Sequence, residues 1–105
     1  MDAAEALQFV QRMARTGAVR VTPKALQEFQ SAYGGRAEET TAVCLALSTA
    51  SAARVHKVGL DHVDPSRTVI VLRLPFAGGT AYVKVSLRRL PTESANLLSF
   101  KRWER

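Results

Sequence analysis

The spacing of apolar residues along this chain changes once, close to Arg67, and that change limits the folds open to it. Residues 80–88, TAYVKVSLR, alternate strictly. Ala81, Val83, Val85 and Leu87 fall on one face of a strand, and Thr80, Tyr82, Lys84, Ser86 and Arg88 on the other. The preceding run TVIVLRL (68–74) is β-branched and largely apolar, as in a strand buried on both faces. Pro75 and Gly78-Gly79 are expected to turn the chain between them. NLLSFKRW (96–103) predicts a third strand after a turn holding Pro91 and Ser94, with Leu98 and Phe100 opposite Leu97, Ser99, Lys101 and Trp103.

Before Arg67 the period is helical. Asp2 and Glu5 have capping-box spacing, and Ala3, Leu7, Val10 and Met13/Ala14 share a face up to Gly17. AVRV then reads as a short extended bridge. Thr22-Pro23 opens a second helix with the stripe Leu26, Phe29, Ala32 and Tyr33, closed by Gly34-Gly35. A third runs from Glu38 to about Leu47, and Ser48, Thr49 and Ser51 are expected to cap a short fourth helix reaching Lys57. The stretch VGLDHVDPSR predicts a loop. Helices followed by a meander define an α+β class: one domain over 1–105, with helices at about 2–57 packed on a small antiparallel sheet at about 68–103. The sheet's other face would display Tyr82, Lys84, Arg88 and Lys101.

A chain of 105 residues can bury one core without metal or disulfide staples. The single cysteine, Cys44, excludes an internal disulfide. With acidic residues at the start instead of a basic leader, this points to the cytoplasm. No apolar run is long enough for a membrane span, so no membrane partner is expected. The net charge of +6 sits entirely in residues 54–105, which carry ten bases against four acids; residues 1–53 carry five of each. Such a field attracts polyanions.

Four segments, GAVRVTPKAL (17–26), TAVCLALS (41–48), YVKV (82–85) and LSFK (98–101), follow in order and spacing the MqsR family of mRNA interferases, which this chain resembles from about residue 9 to 102. The resemblance implies a RelE-like fold, metal-free cleavage of mRNA with no cofactor, and neutralisation by an antitoxin protein. It places the family's functional lysine at Lys57, its tyrosine at Tyr82 and its C-terminal lysine at Lys101. His56 stands where the family has an aromatic residue. The strand before Tyr82 lacks the family's glutamine, and the segment RLPTESAN is longer than the family's turn.

Metal-free RNA cleavage needs a base for the 2′-hydroxyl, cations for the charged phosphorane and a proton for the leaving 5′-oxygen. Lys57 or His56 is the candidate base. Tyr82 and Lys101 are candidates to hold the scissile phosphate, and Arg73, Lys84 and Arg88 to hold flanking phosphates. Two histidines and one cysteine, none closely spaced, make no metal site. Taken singly, these residues also have ordinary readings: Tyr82 as packing, Lys57 as a solvated helix end, His62 paired with Asp61, Asp64 or water, Cys44 as a core thiol, and Trp103, which could stack a base, as a cap on the sheet edge. Two other functions use the same charge: a non-catalytic RNA-binding module, and a protein-interaction domain with an acidic partner.

Overall fold

A computed structural model describes residues 1–34 and 39–104, apart from the side chains of Glu39 and Thr40. The chain is α+β. Helices α1 (Ala3–Arg15), α2 (Pro23–Tyr33) and α3 (Glu39–Ser48) accompany strands β1 (Val19–Val21), β2 (Val55–Leu60), β3 (Thr68–Phe76), β4 (Gly79–Arg88) and β5 (Ser94–Arg102). The sheet order is β1-β5-β4-β3-β2. It is mixed rather than purely antiparallel, because β1 lies parallel to β5, pairing Val19 with Ala95. None of the described helices is long and apolar enough to cross a membrane.

Local chemistry sets the helix starts. The Glu5 amide donates to Asp2 Oδ1 (2.8 Å) and the Asp2 amide to Glu5 Oε1 (3.3 Å), the reciprocal pair expected from their spacing. Thr22 caps α2 through the Ala25 amide and also donates its hydroxyl to the Leu97 carbonyl (2.8 Å), which ties the helix start to β5. The buried faces differ in detail from the predicted stripes. Ala6 and Phe9 join Leu7, Val10, Met13 and Ala14, while Ala3 is exposed. On α2, Ala25 and Phe29 are buried and Leu26 is not; on α3, Val43 and Leu47 are buried and Leu45 is exposed. Gly34 ends α2 with φ +78°. The expected helix start at Glu38 and the stop at Gly35 lie outside the described residues.

Two expectations fail around residues 49–60. A single 3-10 turn, Ala52–Arg54, replaces the fourth helix, and the predicted loop begins with β2, antiparallel to β3 along its free edge. Lys57 is therefore an edge-strand residue, not a helix end. A bulge at His56 and the flexible Gly59 hide the alternation of VHKVGL, and the strand forms because β3 offers an unpaired edge. The turn after β3 also shifts. Pro75 and Gly79 belong to strands, and the two linking residues, Ala77 (φ +49°) and Gly78 (φ +78°), both lie in the left-handed region that such hairpins require. Gly78→Ala is expected to lower stability by about 1 kcal/mol in a denaturant titration.

A second bulge, at Leu98, resets the parity of β5. Leu97 pairs with Val85 and Phe100 with Val83, so both face the core, contrary to the predicted split. Ser99 and Lys101 stay on the opposite face, beside Lys84 and Tyr82. The core joins Ile70, Leu72 and Leu74 of β3, Val83, Val85 and Leu87 of β4, and the buried faces of all three helices. Phe29, Tyr33, Phe76 and Phe100 form a ring cluster with centroids 5.0–6.0 Å apart, which seats α2 on the end of β5.

Candidate nucleic-acid interface

Strand register fixes what the face away from the helices displays. Lys57, Val71, Lys84 and Ser99 line up across β2–β5, and Arg73, Tyr82 and Lys101 form the next row. His56, the bulged residue of β2, borders that second row. Six of the seven catalytic and phosphate-binding candidates, all but Arg88, thus fall within two neighbouring rows. Strand spacing of about 4.8 Å and a rise of about 3.3 Å per residue put the Lys57 backbone about 12 Å from that of Tyr82, on a diagonal.

Trp103 organises the second row. It follows β5, and its amide donates to the Thr80 carbonyl (2.8 Å). Rather than closing the sheet edge, its indole lies over the row. Tyr82 stacks on it at 5.7 Å with 26° between the planes, His56 meets it edge-on at 5.1 Å, and the Arg73 guanidinium sits 5.2 Å from the ring centroid. Lys101 Nζ lies 5.5 Å from the Tyr82 ring centroid. Aromatic and cationic groups therefore interleave here.

One carboxylate reaches this face from α2. Glu28 Oε1 accepts from Ser99 Oγ (2.7 Å), and Oε2 lies 3.7 Å from Lys101 Nζ. Arg102, on the core side, donates to the Ala32 carbonyl (2.8 Å) and lies over the Tyr33 ring. Between α2 and the Tyr82–Trp103 pair opens a cleft of about 740 Å³, lined by Glu28, Ser31, Tyr82, Lys101, Trp103 and Glu104 among others.

The far end of the face is structural. Arg67 is 93% buried; its Nε donates to Ser86 Oγ (2.6 Å) and Nη2 to the Ser86 carbonyl (2.8 Å), while Ser86 Oγ donates to Asp61 Oδ2 (3.1 Å). The Val63 amide, with those of Asp64 and the Ser86 hydroxyl, holds the Asp61 carboxyl below its ordinary range. Asp64 is held down in the same way by Ser66. These carboxylates are thus occupied by loop amides and hydroxyls; His62 is exposed and pairs with neither Asp61 nor Asp64. Arg88 lies here, about 20 Å along β4 from Tyr82, so it is on the predicted face but not in the cluster. Its Nε is buried without a hydrogen-bond partner among the described residues.

Cys44 packs half-buried against the core, and burial pushes its thiol up. Among the described residues, no three His, Cys, Asp or Glu side chains gather as a metal site would need. Sequence reasoning missed Glu28, Ser99 and Arg67, and of its two readings for Trp103 it favoured the sheet edge. No local pattern marks Glu28, since it meets Lys101 only through the packing of α2 on β5. Comparison with protein-family models, with curated proteins and with solved structures found no match for this chain.

Proposed function

We propose that this chain is a metal-independent endoribonuclease of the MqsR type, the toxin of a toxin–antitoxin pair, which cuts mRNA on the open face of its sheet. The observation that carries the reading is the second row: Arg73, Tyr82 and Lys101 side by side, with His56 and Trp103 against them and Lys57 and Lys84 one row away. In the reaction, the 2′-hydroxyl oxygen bonds to the adjacent phosphorus as its proton passes to Lys57 or to His56. The P–O5′ bond breaks, and the leaving oxygen takes a proton from water. The products are a 2′,3′-cyclic phosphate and a 5′-hydroxyl. Tyr82, Lys101 and Arg73 surround the phosphate and offset its growing charge, and Lys84 holds the flanking chain. An mRNA target puts the activity in the cytoplasm. The antitoxin, in this reading, covers the same face with an acidic surface.

A second reading is favoured by β3, which carries no amide where the family has its glutamine, and by the stacked Tyr82–Trp103 pair. Both suit a module that binds RNA without cutting it. Incubation of the purified chain with RNA in excess EDTA separates the two. Cyclic-phosphate ends are expected. Intact RNA, together with binding that weakens with salt at a log–log slope of about −3 to −5, would select the binding module and overturn the nuclease.

A further inference from the structure

We propose that Glu28 is a positioning residue for this face: braced by Ser99, its carboxylate fixes the Lys101 ammonium beside Tyr82, where the phosphate is to be held. The inference deepens the reading of this face as an RNA site and rests on it.

A lysine carries its charge on a flexible stem and has no fixed direction of its own. The Lys101 side chain is 53% exposed, so packing does not hold its head. Glu28 is the opposite case. Its side chain is only 19% exposed, and the buried Ser99 hydroxyl donates to Oε1 at 2.7 Å, a charge-assisted bond. The next residue, Phe29, packs on Phe100, and the cap residue Thr22 donates to the Leu97 carbonyl. Both of these anchors lie on β5, the strand that carries Lys101, so the carboxylate is fixed in the same frame as the ammonium. Its second oxygen, Oε2, faces Lys101 Nζ at 3.7 Å, beyond hydrogen-bond distance. The attraction therefore sets the place of the charge, 5.5 Å from the Tyr82 ring centroid, and leaves the N–H donors for phosphate oxygens. A simple counter-ion needs no such construction. Glu93 serves Arg12 in that way with both side chains about half exposed.

Glu28→Gln keeps an acceptor for Ser99 and removes the charge that faces Lys101. It is expected to lower the cleavage rate at saturating protein by about tenfold, as a displaced catalytic cation should. RNA affinity should rise by about two- to fivefold, because a negative charge leaves the face. A purely structural role would lower rate and affinity together. In a Lys101→Ala background the same substitution should change the rate by less than about twofold, since no ammonium remains to be positioned. Should Glu28→Gln fail to fold, Ser99→Ala, which removes only the brace, is read in its place and should lower the rate in the same direction. A rate that is unchanged or rises, or a loss that persists without Lys101, overturns the role.

A second readout needs no RNA. Lys24, Lys57, Lys84 and Lys101 are the lysines of the chain, so NMR with isotope-labelled lysine resolves each side chain, and Lys101→Arg identifies its signal. The paired Cε protons of Lys101 are expected to be distinct in the full chain and to merge in Glu28→Gln. Merged protons in the parent, or a separation that survives the substitution, sink the positioning and leave the nuclease. An ordered Lys101 that depends on Glu28, in a chain that leaves RNA intact, supports the positioning and sinks the nuclease.

Discussion

Tyr82→Phe is expected to slow RNA cleavage by about 100-fold or more in single-turnover assays while leaving RNA affinity within about twofold of the parent chain. The variant keeps the ring that stacks on Trp103 and lies under Lys101, so it removes only the hydroxyl. Lys101→Ala takes away a cation next to the phosphate and is expected to reduce both rate and affinity. Lys57→Ala tests the base. If His56 carries that role instead, His56→Ala shows the larger loss and Lys57→Ala behaves as a phosphate contact. Lys84→Ala is the internal control, with affinity lowered, the salt slope reduced by about 1 and the rate at saturating protein unchanged. Should Lys57→Ala, Tyr82→Phe and Lys101→Ala all cut RNA like the parent, the site is elsewhere.

Phe100→Ala should be the most destabilising single change at the sheet–helix junction, by about 3–5 kcal/mol. Phe100 is fully buried and touches three other rings, those of Phe29, Tyr33 and Phe76. Truncation leaves a cavity that rigid aromatic neighbours cannot fill. For a chain of this length the melting temperature should fall by roughly 15 °C or more. A loss below about 1 kcal/mol would mean that α2 is not seated on β5 by this cluster. Phe100→Leu, which keeps most of the volume, is the milder companion. The same cluster holds Glu28 at the open face, so any folded Phe100→Ala protein should also lose the cleft's shape.

The elements that the amino-acid order made legible are those defined by contacts close in sequence. The capping box of α1 spans residues 2–5, and the alternation of β4 lies within nine residues. Both are observed where the pattern put them. What stayed hidden depends on partners far along the chain. VHKVGL has no clean period, because His56 is an inserted residue, and it becomes a strand only against β3. Leu97 looked like an outward residue until the extra residue Leu98 turned the rest of β5 over. The candidate site follows the same division. Tyr82 and Lys84 could be placed on one face from β4 alone, whereas the link from Glu28 to Ser99 and Lys101 joins residues 71 or more positions apart. The overlap of Trp103 with both His56 and Tyr82 needs four strands, β2 to β5, in register.

The pairing of β1 with β5 also bears on how the molecule comes together. Val19 waits for Ala95, so an early stretch of chain finds its neighbour only after the last strand has been made. Closing so long a loop early is entropically costly, which favours assembly that starts in the β3–β4 hairpin and zips outward. On a ribosome, helix α2 would emerge with its apolar side uncovered, and it would stay so until residues 94–102, which carry β5, clear the exit tunnel.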